Sequence, residues 1–196
     1  MSKQVEIVRE MKLLGTIICD DLKWNKNTSY LVKKAYSRME LLRRIKHFTK
    51  STTDKLQIYK TFIRNNLEQS CAVWGSSITK QNEKDIERVQ KVAVNLILND
   101  KHPYKEALEL LNIPTLKERR TILSARFAEK CLENKKTKNM FPIIKKIHNM
   151  NTRNQRKFKE TNARTVRMAM SSIPTMQKHL NKKHQELQSI LNSDSS

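Results

Sequence analysis

Glycine occurs twice and proline four times in this 196-residue chain, so the two residues that most often interrupt regular structure are nearly missing. Long helices are the natural consequence. Apolar residues make up 37% of the chain, below the usual globular range, so the core is modest and much of the length stays solvated. The length fits one domain, or one domain with an appendage. The three cysteines, Cys19, Cys71 and Cys131, are widely spaced and include no CxxC pair. Neither a disulfide framework nor a zinc site is indicated, and they read as small buried hydrophobes. No apolar run approaches the roughly 18 residues of a membrane span, and the start MSKQVEIVRE has no signal-peptide core. These absences predict no membrane partner and an intracellular location, in nucleus or cytoplasm.

Acidic residues are few beside basic ones. Nineteen Asp and Glu face 40 Lys and Arg, a formal net charge of +21. Such an excess repels itself unless an anionic partner neutralises it, and phosphate backbones are the commonest such partner. The excess is segregated. Residues 23 to 50 hold nine basic and one acidic residue and residues 135 to 183 hold fourteen and one, whereas residues 51 to 134 hold fourteen and eleven. A footprint for a nucleic-acid backbone has this uneven distribution.

The pattern predicts a mainly α fold: a short N-terminal β-hairpin over residues 1–22, an antiparallel helical bundle over 23–134, and a basic, partly helical or disordered tail over 135–196. Val5, Ile7 and Val8, then Leu13, Leu14, Ile17 and Ile18, are short β-type runs. Gly15 lies inside the second, where a glycine marks a bulge or a close backbone approach. From Thr28 the period is helical, with Leu31, Ala35, Met39, Leu42 and Ile45 as the apolar stripe and Asn27 or Thr28 as cap. A second helix starts at Ser51 or Thr52, with Leu56, Tyr59, Phe62, Ile63 and Leu67 inward. A third runs from Thr79 with Ile86, Val89, Ala93, Leu96 and Ile97 on one side. Pro103 opens a short fourth. Thr115 and Glu118 form a capping-box pair for a fifth, through Leu123, Phe127 and Cys131.

Lys26, Lys33 and Arg44 fall within about 20° of one another on the first helix, opposite its apolar stripe, with Tyr36 and Arg43 beside them. Cations around an aromatic suit tracking of a phosphate strand. Asp20 and Asp21 follow an apolar strand, as metal-binding aspartates of polymerases do. Without a further carboxylate strand they read as turn residues. His47, His102, His148, His179 and His184 show no metal-ligand spacing and are placed on the surface or near phosphates. No glycine-rich phosphate loop or nucleophile motif occurs. The residues predict no metal, no cofactor and no enzyme acting alone.

Several strings in order resemble a known family. They are Lys12-Leu13-Leu14-Gly15, Leu22-Lys23-Trp24-Asn25, Leu41-Leu42-Arg43-Arg44-Ile45, Tyr59-Lys60-Thr61-Phe62-Ile63-Arg64 and Cys71-Ala72-Val73-Trp74-Gly75. Ile86-Glu87-Arg88-Val89-Gln90, Glu106-Ala107-Leu108-Glu109-Leu110-Leu111 and Ile113-Pro114-Thr115-Leu116 with Glu118-Arg119-Arg120 follow. Together they are similar to the C-terminal part of the reverse transcriptases of jockey-like and related non-LTR retrotransposons, over about residues 11 to 132. Ser172-Ile173-Pro174 and Leu180-Asn181 are similar to that family's closing segment.

The resemblance implies a fragment of an RNA-directed DNA polymerase. Leu14 and Gly15 would lie at the primer grip, and the helices after them would form a thumb. Lys12, Lys26, Lys33, Tyr36, Arg43 and Arg44 would face a template-primer RNA-DNA hybrid or duplex through its phosphates. The fingers and the palm aspartates of the family have no counterpart in these residues, so the implied partners include the palm and fingers of a parent polymerase, and no polymerase activity is expected of the chain alone. The hairpin, lacking that palm, would expose an apolar face prone to association. Stand-alone alternatives are a basic helical nucleic-acid-binding or chaperone protein, and an interaction bundle whose basic tail docks acidic partners.

Overall fold

A computed structural model describes residues 7 to 144 and 156 to 193, with the side chains of 190 to 193 excepted. Val5 and His148 lie outside the described residues. The chain is mainly helical, with a short two-stranded antiparallel hairpin at its N-terminal end followed by helices. It forms two compact units, one of Met1–Cys71 with Ile78–Arg120 and one of Ala72–Ser77 with Thr121–Ser196.

In the first unit β1 (Glu10–Leu13) pairs with β2 (Thr16–Cys19), Met11 opposite Ile18 and Leu13 opposite Thr16. The connecting residues, Leu14 at φ 47° and Gly15 at φ 85°, both occupy the left-handed region that two-residue hairpin turns of this kind require. This corrects the sequence expectation: Leu13, Leu14, Ile17 and Ile18 are not one strand but the two sides of a turn, and Gly15 is no bulge. Close approach does occur there. A Cβ on Gly15 would sit 2.3 Å from Nε2 of Gln69, whose amide donates to the Leu14 carbonyl at 2.9 Å. Asp20 and Asp21 do turn the chain, with Asp21 Oδ1 accepting from Lys23 N at 2.9 Å.

α1 (Asn25–Phe48) buries Leu31, Ala35, Met39 and Leu42, as its period demands. Its start differs from expectation. Trp24 takes the cap position without a side-chain bond, and Asn27 and Thr28 are buried within the helix. Asn27 Oδ1 is instead used by the hairpin, accepting from Ile17 N at 3.0 Å. Ser51 caps α2 (Thr52–Ile58), its hydroxyl accepting from Asp54 N at 3.2 Å. The helix then widens into a π-helical turn over Tyr59–Arg64 before α3 (Asn65–Glu68).

A π turn advances less per residue than an α turn. Tyr59 and Ile63 therefore face inward, whereas Phe62, expected in the stripe, is half exposed. Side chains also bond carbonyls of this stretch: Arg38 Nη1 donates to Phe62 O at 2.8 Å, and Thr61 Oγ1 donates to Gln57 O at 2.8 Å.

α4 (Cys71–Trp74) follows. α5 (Lys80–Leu98) packs along α1 and buries Ile86, Val89, Ala93, Val94 and Ile97. Thr79 caps its start, and Asn99, left-handed at φ 58°, ends it. In the orientation that satisfies both of its ends, the Asn99 carboxamide donates to Leu96 O at 3.2 Å and accepts from Lys55 Nζ at 3.0 Å, which accounts for a lysine with no solvent exposure. α6 (Tyr104–Leu110) starts after Pro103, and α7 (Leu116–Glu133) opens on the expected reciprocal capping box. Thr115 N donates to Glu118 Oε2 at 3.0 Å and Glu118 N to Thr115 Oγ1 at 3.2 Å.

Two polar clusters tie this unit together. Arg119 donates twice to Glu68, both bonds at 2.8 Å, and Arg64 lies 3.5 Å from the same carboxylate. Gln90 accepts from Tyr59 and donates to Tyr104 and to Pro114 O, while Glu87 accepts from Tyr104 and from Lys117 N.

The second unit contains the rest of α7, then α8 (Val166–Ala169) and α9 (Ser172–Ser193). Its core is Ala128, Cys131, Phe141, Phe158, Met176 and Leu180, with Phe127 turned outward rather than into the expected stripe. Asn181 clamps the Phe158 backbone in both directions, at 2.8 and 3.0 Å, and Gln177 accepts from Thr161 N at 2.7 Å. Residues expected to form a tail thus supply four of those six core side chains. All three cysteines are buried and free.

Candidate nucleic-acid interface

Amphipathicity makes α1 the platform: its buried stripe fixes which residues face solvent, and from Asn25 to Phe48 those include seven Lys or Arg against the single acid Glu40. Lys26, Lys33, Arg43 and Arg44 all reach that solvent-facing side. Their surroundings differ. Lys26 pairs with Glu10 of β1, a hydrogen bond that with the carboxylate's charge holds its ammonium above the ordinary lysine range. Arg43 and Arg44 share Glu40, at 3.3 and 3.6 Å. Lys33 has no carboxylate partner among the described residues.

The site residues named from sequence fall into three groups. Lys12 and Lys26 each join the hairpin to α1, Lys26 through Glu10 and Lys12 through Tyr30, where Lys12 Nζ donates to Tyr30 OH at 2.9 Å and lies 4.4 Å from the ring centroid. Leu14 and Gly15 form the hairpin tip, Leu14 being 89% exposed. Lys33 and Tyr36 line a groove of about 320 Å³ between α1 and α5, together with Thr28, Ser29, Val32, Asp85 and Arg88. Arg43 and Arg44 stand apart, roughly 16 Å along the helix from Lys33 at 1.5 Å per residue.

Sequence reasoning missed Arg88, Tyr30, Lys34 and Arg38. Arg88 belongs to the charge-balanced stretch, and only the packing of α5 on α1 brings it beside Lys33. Tyr30 and Lys34 were legible as an i, i+4 pair on the exposed side of α1; their link to Lys12 is tertiary. The Lys12 hydrogen bond, reinforced by the charges of Lys12, Lys34 and Arg38, holds the Tyr30 phenol below its ordinary range. Burial does the opposite elsewhere: Tyr59 and Tyr104 are held above the ordinary phenol range, and the Cys71 thiol is pushed up to about 11. A thiol so placed is a poor nucleophile at neutral pH.

The chain matches no protein-family model, no curated protein and no solved structure.

The chemistry of the surface therefore rests on the geometry itself. Exposed ion pairs such as Arg43 and Arg44 with Glu40 contribute little, so a phosphate can replace the carboxylate at small cost. A guanidinium has the geometry for bidentate contacts to a phosphate, and the tyrosines beside Lys12 and Lys33 offer a ring face and a hydroxyl. Among the described residues no three His, Cys, Asp or Glu side chains converge as metal ligands, and no helix is long and apolar enough to cross a membrane. His47 is exposed, and His102, His179 and His184 are partly exposed.

Proposed function

We propose that this chain is a thumb-like module of the non-LTR retrotransposon reverse transcriptase type, which grips template-primer nucleic acid through its phosphates without reading sequence and does not polymerise by itself. The observation that carries this reading is the face of α1: seven cations, one acid, and an apolar stripe committed to the core on the opposite side. The order of motifs from Lys12 to Arg120 supports it, and so does the hairpin tip, where Leu14 is presented outward. Copying any sequence forbids base readout, which agrees with a surface of flexible cations and two tyrosines rather than fixed amides.

Salt dependence tests it. Log affinity for a hybrid or DNA duplex should fall linearly with log salt, at about −0.9 per phosphate neutralised on duplex DNA. Lys33→Ala with Arg44→Ala should reduce that slope by about one for each phosphate no longer neutralised. A slope unaltered by both substitutions refutes the assignment of this face, and primer extension by the chain alone refutes the absence of catalysis.

One observation favours a second reading, a stand-alone basic helical nucleic-acid-binding or chaperone protein. The hairpin is docked on its own unit: Thr16 and Cys19 are buried, Asn27 holds Ile17, and Gln69 holds Leu14. Met11 and Leu13 of β1 are about half exposed, which fits an absent neighbour equally well. A monodisperse monomer at high concentration favours the stand-alone protein, and concentration-dependent association relieved by Met11→Lys favours the fragment.

A further inference from the structure

The groove between α1 and α5 is a concave part of the basic surface. Its volume of about 320 Å³ lies at the small end of ligand sites. Its lining is ordered by chemistry: Lys33 and Arg88 supply positive charge, neither in an ion pair among the described residues, while Ser29 and Tyr36 add hydroxyls and Val32 an apolar wall. Asp85 brings a carboxylate to the same groove, steadied by Gln81 Nε2 at 2.9 Å. Beneath it Thr28 is 1% exposed, and its hydroxyl has no hydrogen-bond partner among the described residues.

Two cations facing a phosphate are ordinary strand-binding equipment, but a carboxylate in the same groove is not, because it repels a backbone. A carboxylate is the usual acceptor for sugar hydroxyls. We infer that this groove seats a single ribonucleotide unit of the bound strand, its phosphate on Lys33 and Arg88, its sugar hydroxyls toward Asp85, and its base or sugar face against Tyr36 and Val32. The inference deepens the proposed nucleic-acid grip, on which it rests and with which it shares Lys33 and Tyr36. It adds what an unshaped basic face lacks, a preference for ribose.

The experiment uses the full chain labelled with nitrogen-15 and titrated separately with adenosine 5′-monophosphate, its 2′-deoxy analogue and inorganic phosphate. Adenosine monophosphate should shift the amides around Ser29, Val32, Lys33 and Arg88, and the deoxy analogue should bind several-fold more weakly. Arg88→Gln should weaken the ribonucleotide about tenfold, as removal of one charge-assisted hydrogen bond does. Asp85→Asn should shrink the ribose-to-deoxyribose ratio while leaving the phosphate contribution in place.

Equal binding of inorganic phosphate and adenosine monophosphate overturns the nucleotide seat and leaves a bare anion site. Shifts located elsewhere, or an Arg88→Gln variant with unchanged affinity, overturn it also, as does saturation of the groove by an acidic peptide in preference to the nucleotide. Arg88 and Asp85 lie outside the residues whose substitution tests the wider grip. The unsubstituted chain therefore separates the two ideas: a salt-dependent grip on duplex with no binding of adenosine monophosphate sinks the seat alone, and a reduced slope for Lys33→Ala with Arg44→Ala upholds the grip regardless.

Discussion

Leu14 sits at φ 47° in the two-residue turn of the hairpin, a conformation that costs an ordinary L-residue roughly 1–2 kcal/mol and that asparagine adopts with much less strain. Its side chain is 89% exposed. Full burial of a leucine is worth about 2 kcal/mol, so the small buried fraction of this one contributes only about 0.2 kcal/mol that asparagine would forfeit. The Gln69 bond goes to the backbone carbonyl and survives the change. Leu14→Asn should therefore stabilise the first unit by about 0.8 kcal/mol. In urea unfolding this is a higher midpoint at unchanged slope, and in a thermal scan about 2–3 °C. The same substitution removes an exposed apolar side chain from the hairpin tip, so if the proposed grip includes that tip, affinity for template-primer should fall while stability rises. A midpoint that does not move, or moves down, refutes the argument that the turn is strained. A gain in stability with unchanged affinity removes Leu14 from the binding surface.

Five further outcomes follow from the packing and the electrostatics. Phe62→Ala should cost about 1 kcal/mol or less and Ile63→Ala about 3 kcal/mol, measured by urea unfolding, and a reversed order would restore the regular helix the sequence suggests. Glu68→Gln, which takes the charge from a carboxylate serving Arg119 and Arg64 at 10% side-chain exposure, should destabilise by about 3 kcal/mol. The exposed Glu40→Gln should be nearly neutral for stability and should tighten nucleic acid by freeing Arg43 and Arg44, as gel-shift titrations would show. In spectrophotometric titration Tyr30 should ionise below the ordinary phenol value, and Lys12→Ala should return it there. Tyr59 and Tyr104 hold their protons more tightly folded than unfolded, so their contribution is complete below about pH 10 and is lost as pH rises past it. Stability that persists unaltered well above that pH would contradict their burial.

What the sequence makes legible here is what short-range chemistry decides. The capping box of Thr115 and Glu118, the starts at Ser51 and Thr79, the opening after Pro103 and the stripe of α1 all depend on residues within four positions of one another. The misses have physical causes of a different range. The hairpin turn escaped notice because leucine occupies a position that Asn, Asp or Gly usually takes. Phe62 left the core because one wide turn breaks the 100° period on which the stripe is read. Lys55 is buried because Asn99, 44 residues away, ends another helix beside it. For the candidate interface, the ridge of cations on α1 was visible as charge on a face. Arg88 and Asp85 were not, since only the packing of α5 against α1 gives them a common groove.

The π turn over Tyr59–Arg64 also bears on the chain's history. An i to i+5 turn accommodates one residue more than the α turn it interrupts, while α2 before it and α3 after it keep ordinary geometry. It has the form of a single-residue insertion inside a helix, and Arg38 donates to the Phe62 carbonyl within it. Relatives one residue shorter between Lys55 and Leu67 should therefore carry an unbroken helix there. Deleting Thr61 from this chain should give a regular α-helix from Thr52 to Glu68, which circular dichroism and urea unfolding would test.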